Sequence, residues 1–127
     1  MQEKDLFEYA VIRIVPRVER EEFVNAGVIL YCPKQKFLGV RYQLFPEKIN
    51  MLCPESDMDE IAAHLQAFEQ IAKGAKSAGP IAALDLPSRF RWLTATRSTV
   101  VQASRVHPGF CEDAADMLNK LFAEQVA

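Results

Sequence analysis

The sequence has too few cysteines for a disulfide framework or a zinc site. Cys32, Cys53 and Cys111 are odd in number and form no Cys-x-x-Cys pair, and only His64 and His107 could complete a metal site. We therefore expect three free thiols in a reducing compartment and no bound metal.

Long apolar runs are also missing. No run approaches the ~18 residues that a membrane span needs, and the N-terminal MQEKDLFEYA is acidic and lacks the apolar core of a signal peptide. We therefore expect a cytoplasmic protein without a membrane partner. At 127 residues, 50% of them hydrophobic and 25% charged, the chain has the composition of a single globular domain over residues 1–127.

Motifs of catalytic and cofactor chemistry are absent as well. The five glycines are scattered singly, and no dinucleotide, Walker, nucleophile-elbow or HExxH pattern occurs. His107 and Cys111 stand four residues apart, but nothing in the sequence orients them as a nucleophile pair. The acids Asp57, Asp59 and Glu60 lack the spacing of a calcium loop and suit a solvated helix start. We expect no cofactor, and the sequence leans towards a protein that is not an enzyme.

One stretch lacks carboxylates altogether. The 26 residues from Leu86 to Cys111 contain four arginines and no acid, whereas the whole chain has a net charge of −2. The rest of the chain is therefore net −6, which argues against nucleic-acid or membrane binding over the whole surface. An arginine cluster without acids is where an anionic ligand or an acidic partner would dock. The four arginines are Arg89, Arg91, Arg97 and Arg105.

The pattern of apolar residues predicts a fold of the α+β class. Residues 9–15 are predicted to form a strand. The continuous apolar run 28–31 is predicted to form a strand that is covered on both faces. Residues 37–44 are predicted to form the returning strand of a hairpin with it. Amphipathic helices are predicted from 57 to about 74 and over 112–126. We expect a small, mostly antiparallel sheet of about four strands with both helices packed on one face.

The acid-free stretch itself predicts a further strand. Residues 91–104 are rich in Thr and Val and contain no breaker, and 107–109 (His-Pro-Gly) reads as a turn. In a strand Arg91 would lie on one face while Phe90 and Trp92 share the other, so we expect Trp92 to face the core.

Arg13 stands within the apolar strand predicted over residues 9–15. A buried and unpaired charge costs several kcal/mol, so Arg13 requires a carboxylate, a bound anion or a position facing solvent. The structural explanation is an ion pair with a nearby acid such as Glu8, Glu19 or Glu22. The functional explanation is a bound anion.

Two blocks of the sequence together resemble the signature of one family. The first runs from Tyr9 to Pro33 and contains YAVIRIVP and EFVNAGVIL; the second runs from Arg89 to His107 and contains RFRWL and RST. They resemble the bacterial domain-of-unknown-function family DUF3037 over nearly the whole chain. The resemblance implies a small soluble bacterial protein, with no role assigned to any position, and a kinase-like protein partner of the toxin–antitoxin type. The matching positions are Arg13, Asn25, Gly27, Arg89, Arg91, Trp92, Arg97, Ser98, Thr99, Gln102 and His107.

These observations predict a non-enzymatic binding or interaction module, because guanidinium groups beside hydroxyl and amide donors suit a phosphate, a carboxylate or an acidic peptide. A second hypothesis is a small enzyme acting on a phosphorylated or nucleotide substrate, with His107 as acid/base and the arginines as a phosphate clamp. A third is single-stranded nucleic-acid binding, which requires Trp92 to be exposed beside the arginines. The residues predicted to bind the anion or partner are Arg13, Arg91, Arg97, Thr99, Gln102, Arg105 and His107.

Overall fold

A computed structural model describes residues 4–95, 97 and 99–127, and its described part confirms an α+β fold. The sheet is antiparallel and has five strands rather than about four: β1 (Asp5–Ile14), β2 (Val24–Cys32), β3 (Phe37–Tyr42), β4 (Val101–Ala103) and β5 (His107–Cys111). The described residues form four α-helices rather than two: α1 (Pro46–Leu52), α2 (Met58–Lys73), α3 (Leu86–Thr94) and α4 (Ala114–Gln125).

Strand β1 is the centre of the sheet. Strand β2 pairs with one edge of β1, and β3 pairs with the far side of β2. Along the other edge of β1, β4 pairs with Ile12–Ile14 and β5 pairs with Asp5–Tyr9, in registers that differ by one residue. Ser104 lies at the junction, where its amide donates to the Val11 carbonyl and its Oγ accepts from the Val11 amide, each at 2.8 Å.

Helices cover both faces of the sheet, so the prediction that they pack on one face is wrong. Helices α2 and α3 pack on the face that carries Ile29 and Tyr31, and α4 packs on the face that carries Val28 and Leu30. Successive residues of a strand point to opposite faces. A strand with a continuous apolar run, such as β2, therefore needs helices or other cover on both faces. This confirms the prediction that β2 is covered on both faces, and it explains why the helices do not all pack on one face.

The elements with clear periodicity lie where the sequence places them. Strand β1 and the β2–β3 hairpin are confirmed, and both predicted amphipathic helices are present as α2 and α4. Asp57 caps α2 by accepting from the Glu60 amide, and Gly74 ends it with φ 71°, a conformation that favours glycine. Gly27 is required for close packing in the hairpin, because a Cβ there would lie 2.6 Å from the Arg41 carbonyl oxygen.

Helix α3 includes the first four residues, 91–94, of the strand predicted over residues 91–104. The Asp85 side chain caps this helix by accepting from the Ser88 amide at 2.9 Å. Phe90 and Leu93, three residues apart on one helical face, are both buried against α2 and the sheet. Helix formation buries these two side chains together, whereas a strand would point them to opposite faces.

Two further elements differ from the prediction. The residues predicted as a turn, 107–109, pair with β1 as part of β5. Pro108 is tolerated there because β5 lies at the edge of the sheet. Helix α1 was not predicted, since seven residues are too few to establish a helical period. No helix in the described part of the chain is long and apolar enough to cross a membrane.

The three cysteines are free thiols with buried side chains. Burial and the neighbouring Cys32 thiol raise the pKa of Cys111 to about 11. Hydrogen bonds with Ser56 and Arg17 lower the pKa of Cys53. The thiols of the protein therefore differ in acidity although they are all buried.

Truncation of a buried leucine in either helical layer should destabilise the fold. Leu65 in α2 and Leu118 in α4 are 1% and 7% exposed. We expect Leu65→Ala and Leu118→Ala each to lower the free energy of unfolding, measured by urea titration, by about 2–5 kcal/mol. Leu84→Ala, at a leucine that is 40% exposed, is the control and should cost less than about 1 kcal/mol. A loss at only one of the buried leucines would contradict a sheet covered on both faces.

Alkaline pH should destabilise the protein through Cys111. Its folded pKa of about 11 lies above the ~8.5 of an unfolded thiol, so the folded chain keeps a proton that the unfolded chain releases. This stabilisation is complete below about pH 8.5 and is lost as the pH rises towards the folded pKa. In urea titrations under reducing conditions, the free energy of unfolding should fall more steeply above about pH 8.5 for the wild type than for Cys111→Ala. Equal slopes would refute the pKa shift.

Candidate functional site

A polar cleft lies beside the C-terminal end of β1, between β4 and the segment that leads into β2. It has a volume of about 370 Å³. Three residues that the sequence analysis proposed for binding, Arg13, Arg97 and Gln102, line it together. We call it the arginine cleft. Its lining residues are Arg13, Val15, Val18, Glu21, Phe23, Arg97 and Gln102.

The pairing of β1 positions Arg13 in this cleft. Arg13 lies opposite Gln102 of β4 on one side and opposite Asn25 of β2 on the other. Directly opposed residues of antiparallel strands point to the same face, so Gln102 follows Arg13 into the cleft. The guanidinium carbon of Arg13 lies 4.1 Å from the centroid of the Phe23 ring. The strand register and this ring together fix where the charge of Arg13 lies.

Arg13 has no ion pair with any described residue. In particular, the structure contains no ion pair between Arg13 and Glu8, Glu19 or Glu22, so the structural explanation for Arg13 is wrong. The Nε of Arg13 is buried and lacks a hydrogen-bond partner within the described residues. An unsatisfied buried donor of this kind costs about 1–3 kcal/mol. Among the described residues, the Phe23 ring therefore compensates Arg13, and no opposite charge does.

Two of the acids expected near Arg13 are engaged elsewhere. Glu8 accepts two hydrogen bonds from Arg91, at 2.7 Å and 2.9 Å, in a bidentate pair. Glu22 pairs with Arg20 at 2.7 Å. These two acids therefore compensate other arginines.

Arg97 supplies a second cation to the cleft. Its guanidinium carbon lies 3.8 Å from the centroid of the Trp92 ring, and its Nη2 donates to the Trp92 carbonyl in the last turn of α3. Burial lowers the pKa of Arg97, but a guanidinium remains protonated at physiological pH. No carboxylate of the described residues pairs with Arg97. Its contacts compensate it with a carbonyl and a ring rather than with an opposite charge.

The remaining polar groups of the cleft are Gln102 and Glu21. Gln102 Nε2 donates to the Thr99 carbonyl at 2.8 Å, and Thr99 Oγ1 donates to the Val101 carbonyl at 2.7 Å. These two bonds brace the turn that leads into β4. Glu21 is the acid among the lining residues, so the charged side chains that line the cleft sum to +1.

An apolar groove adjoins the arginine cleft, and Arg97 lines both. The groove has a volume of about 280 Å³. Trp92 is 38% exposed at this groove, so the prediction that it faces the core is wrong. In a helix, residues two apart do not share a face, and Phe90 rather than Trp92 is buried. We call it the tryptophan groove; it is lined by His64, Ala67, Phe68, Ile71, Trp92, Leu93, Arg97, Thr99 and Val101.

The other residues proposed for binding lie outside the cleft. Arg91 pairs with Glu8 from α3, and that hydrogen bond raises the pKa of Arg91. Arg105 is exposed and forms no ion pair with the described residues. His107 is half-buried in β5, with its ring centroid 5.4 Å from that of Tyr9. The structure therefore separates these three residues from the arginine cleft.

Four lining residues of the cleft, Val15, Val18, Glu21 and Phe23, were not proposed from the sequence, and two of them supply a charge or a ring. Phe23 lies within the first family block but carries no charge or donor, so nothing distinguished it from a core residue. Glu21 was read as part of a charged loop, and it adopts φ 58° at the end of a short 3-10 turn, Val18–Arg20. A positive φ at a residue other than glycine is a signal that only the structure provides.

The described residues offer little for catalysis. Burial raises the pKa of Cys111, which is the opposite of what a nucleophilic thiol needs. His107, its proposed neighbour, contacts Tyr9. No group of three or more His, Cys, Asp and Glu side chains within the described residues could hold a metal ion. The feature of these residues that is left to interpret is the arginine cleft, whose charged lining residues sum to +1.

Comparison with known proteins identifies a family but no function. No curated protein and no solved structure matches the chain. A family model described as "Protein of unknown function (DUF3037)" matches residues 9–126, which confirms the resemblance of the two sequence blocks. The match extends over all five strands and all four helices of the described structure, apart from the first residues of β1. The chain therefore belongs to the DUF3037 family of proteins of unknown function.

Proposed function

We propose that this protein is a non-enzymatic binding module that holds an anion in the arginine cleft. The observation that carries the proposal is the state of Arg13, whose buried Nε has no hydrogen-bond partner and whose charge has no ion pair among the described residues. An oxyanion in the cleft would accept from Arg13 and offset the cost of its unpaired charge.

The arrangement of the two guanidinium groups supports this proposal. Arg13 stacks on Phe23 and Arg97 stacks on Trp92. Stacking on a ring restrains a guanidinium while its edge N–H groups stay available for hydrogen bonds. Binding an anion then requires less ordering of the arginine side chains, which favours affinity.

The enzyme hypothesis receives less support than the binding hypothesis. It requires His107 to converge with two arginines, and His107 does not line the arginine cleft. Among the described residues, those that line the cleft include no cysteine, serine, histidine or lysine. A phosphate clamp without a nucleophile or a metal can bind a substrate but does not by itself transform it.

One observation favours the nucleic-acid hypothesis, because Trp92 is exposed beside Arg97 as that hypothesis requires. The guanidinium of Arg97 occupies one face of the ring, however, and stacking sites present rings to successive bases. The partner proposed here is instead a small anion or an acidic protein surface. A kinase-like protein partner, which the family resemblance implies, is a separate proposal.

The proposal is tested by titrating the ¹⁵N-labelled protein with sodium acetate and with sodium phosphate at constant ionic strength. We expect saturable shifts of the amide resonances of Arg13, Phe23 and Gln102, because these residues lie in the cleft. Arg13→Gln should weaken binding by about tenfold or more, since hydrogen bonds to a charged group are lost.

Arg105→Gln is the matched control for this experiment. It removes the same charge from an exposed arginine outside the cleft and should leave the affinity within about twofold of the wild type. The proposal fails if neither anion gives saturable shifts at the cleft, or if Arg105→Gln weakens binding as much as Arg13→Gln.

A further inference from the structure

We infer that the occupant of the arginine cleft is a carboxylate of an acidic peptide segment, and that a neighbouring apolar side chain of the same peptide packs in the tryptophan groove. This inference rests on the anion binding proposed above and names the ligand class. It treats the cleft and the groove as two subsites of one binding surface.

The geometry places the two subsites side by side. Arg97 lines both, with its guanidinium on the Trp92 ring and its side chain at the edge of the arginine cleft. One side chain therefore separates the site for a charge from the site for an apolar group. The side chains of two adjacent peptide residues can reach both subsites when the peptide turns at that point, because only a fully extended chain points neighbouring side chains to opposite sides.

The tryptophan groove has the composition of a protein contact site. Trp92 is 38% exposed, and Ile71, Phe68 and Val101 surround it with apolar surface. Tryptophan and arginine are the residues that most often dominate binding energy at protein interfaces. Arg97 is the charged lining residue at this groove, and the His64 ring lies 3.6 Å from the Glu60 carboxylate. The net positive charge of the surface therefore lies at the arginine cleft.

The charges of the cleft favour a carboxylate over a phosphate. Arg13, Arg97 and Glu21 sum to +1, which complements the single charge of a carboxylate. A phosphate carries about −1.5 to −2 at neutral pH and would lie in the same cleft as the Glu21 carboxylate. The complementary ligand is therefore an Asp or Glu side chain that has an apolar neighbour.

Trp92 is the single tryptophan of the chain, so its fluorescence reports directly on the groove. The probes are two blocked dipeptides, acetyl-Glu-Leu-amide and acetyl-Leu-Glu-amide. We expect at least one of them to shift the Trp92 emission saturably and to bind at least about tenfold more tightly than acetate, because it buries a leucine side chain as well. Replacing its Glu by Gln, or its Leu by Ala, should weaken binding by about fivefold or more.

A variant of the protein assigns the carboxylate of the peptide to the arginine cleft. Arg13→Gln should weaken the preferred dipeptide at least about tenfold and should abolish its advantage over the Gln-containing analogue. Arg105→Gln should leave both affinities unchanged. Amide spectra of each variant verify the fold, so that a loss of binding is not a loss of structure.

The outcomes separate this inference from the proposed function. If acetate binds at the cleft but neither dipeptide binds more tightly, the peptide inference is overturned while anion binding stands. If acetyl-phosphoserine-Leu-amide binds more tightly than the Glu-containing dipeptide, a phosphorylated ligand replaces the carboxylate. If no anion and no peptide binds, both the inference and the proposed function fail.

Discussion

The pair of hydrogen bonds between Val11 and Ser104 is the constraint on which the rest of the site depends. It joins β4 and β5 along one edge of β1, where the register changes by one residue. Ser104 is 5% exposed, so both of these bonds lie inside the protein. Because strand side chains alternate between faces, the register that this junction fixes decides that Gln102 lies beside Arg13. The segment that carries Arg97 leads into β4 and is brought to the same end of the sheet.

Of the four arginines of the acid-free stretch, Arg89 and Arg91 make contacts within the fold, Arg97 lines the proposed binding cleft, and Arg105 is exposed. Arg89 donates to the Leu84 carbonyl at 2.6 Å, and Arg91 pairs with Glu8. The Nη groups of both arginines are therefore engaged within the fold, although Arg89 Nε, like Arg13 Nε, is buried without a partner among the described residues. Arg97 makes a contact within the fold, because it donates to the Trp92 carbonyl at the end of α3, and it also lines the cleft. The proposed anion site therefore lies where one arginine of this stretch, Arg97, lines the same cleft as Arg13, which lies more than eighty positions earlier in the chain.

Elements whose apolar residues repeat with a clear period over a short stretch of sequence could be predicted. The stripe that forms α2 and the apolar run of β2 each carry their period within a few residues, and both were predicted. Helix α3 was not, because Thr and Val around residues 94–101 resemble a strand while the capping Asp85 lies outside that window. The Glu8–Arg91 pair spans 83 residues and could not be inferred from neighbouring positions. The candidate site could not be predicted for the same reason: strand pairing in the sheet decides which arginines lie close together.

The most direct test of this account is the free energy of unfolding of Arg13→Met at low ionic strength in the absence of added oxyanion. If Arg13 is retained for binding rather than for stability, methionine removes the unpaired charge and the unsatisfied Nε while it keeps the contact with Phe23. The account predicts that the variant is as stable as the wild type or more stable. A loss of more than about 1 kcal/mol would show that Arg13 stabilises the fold and would contradict the central claim.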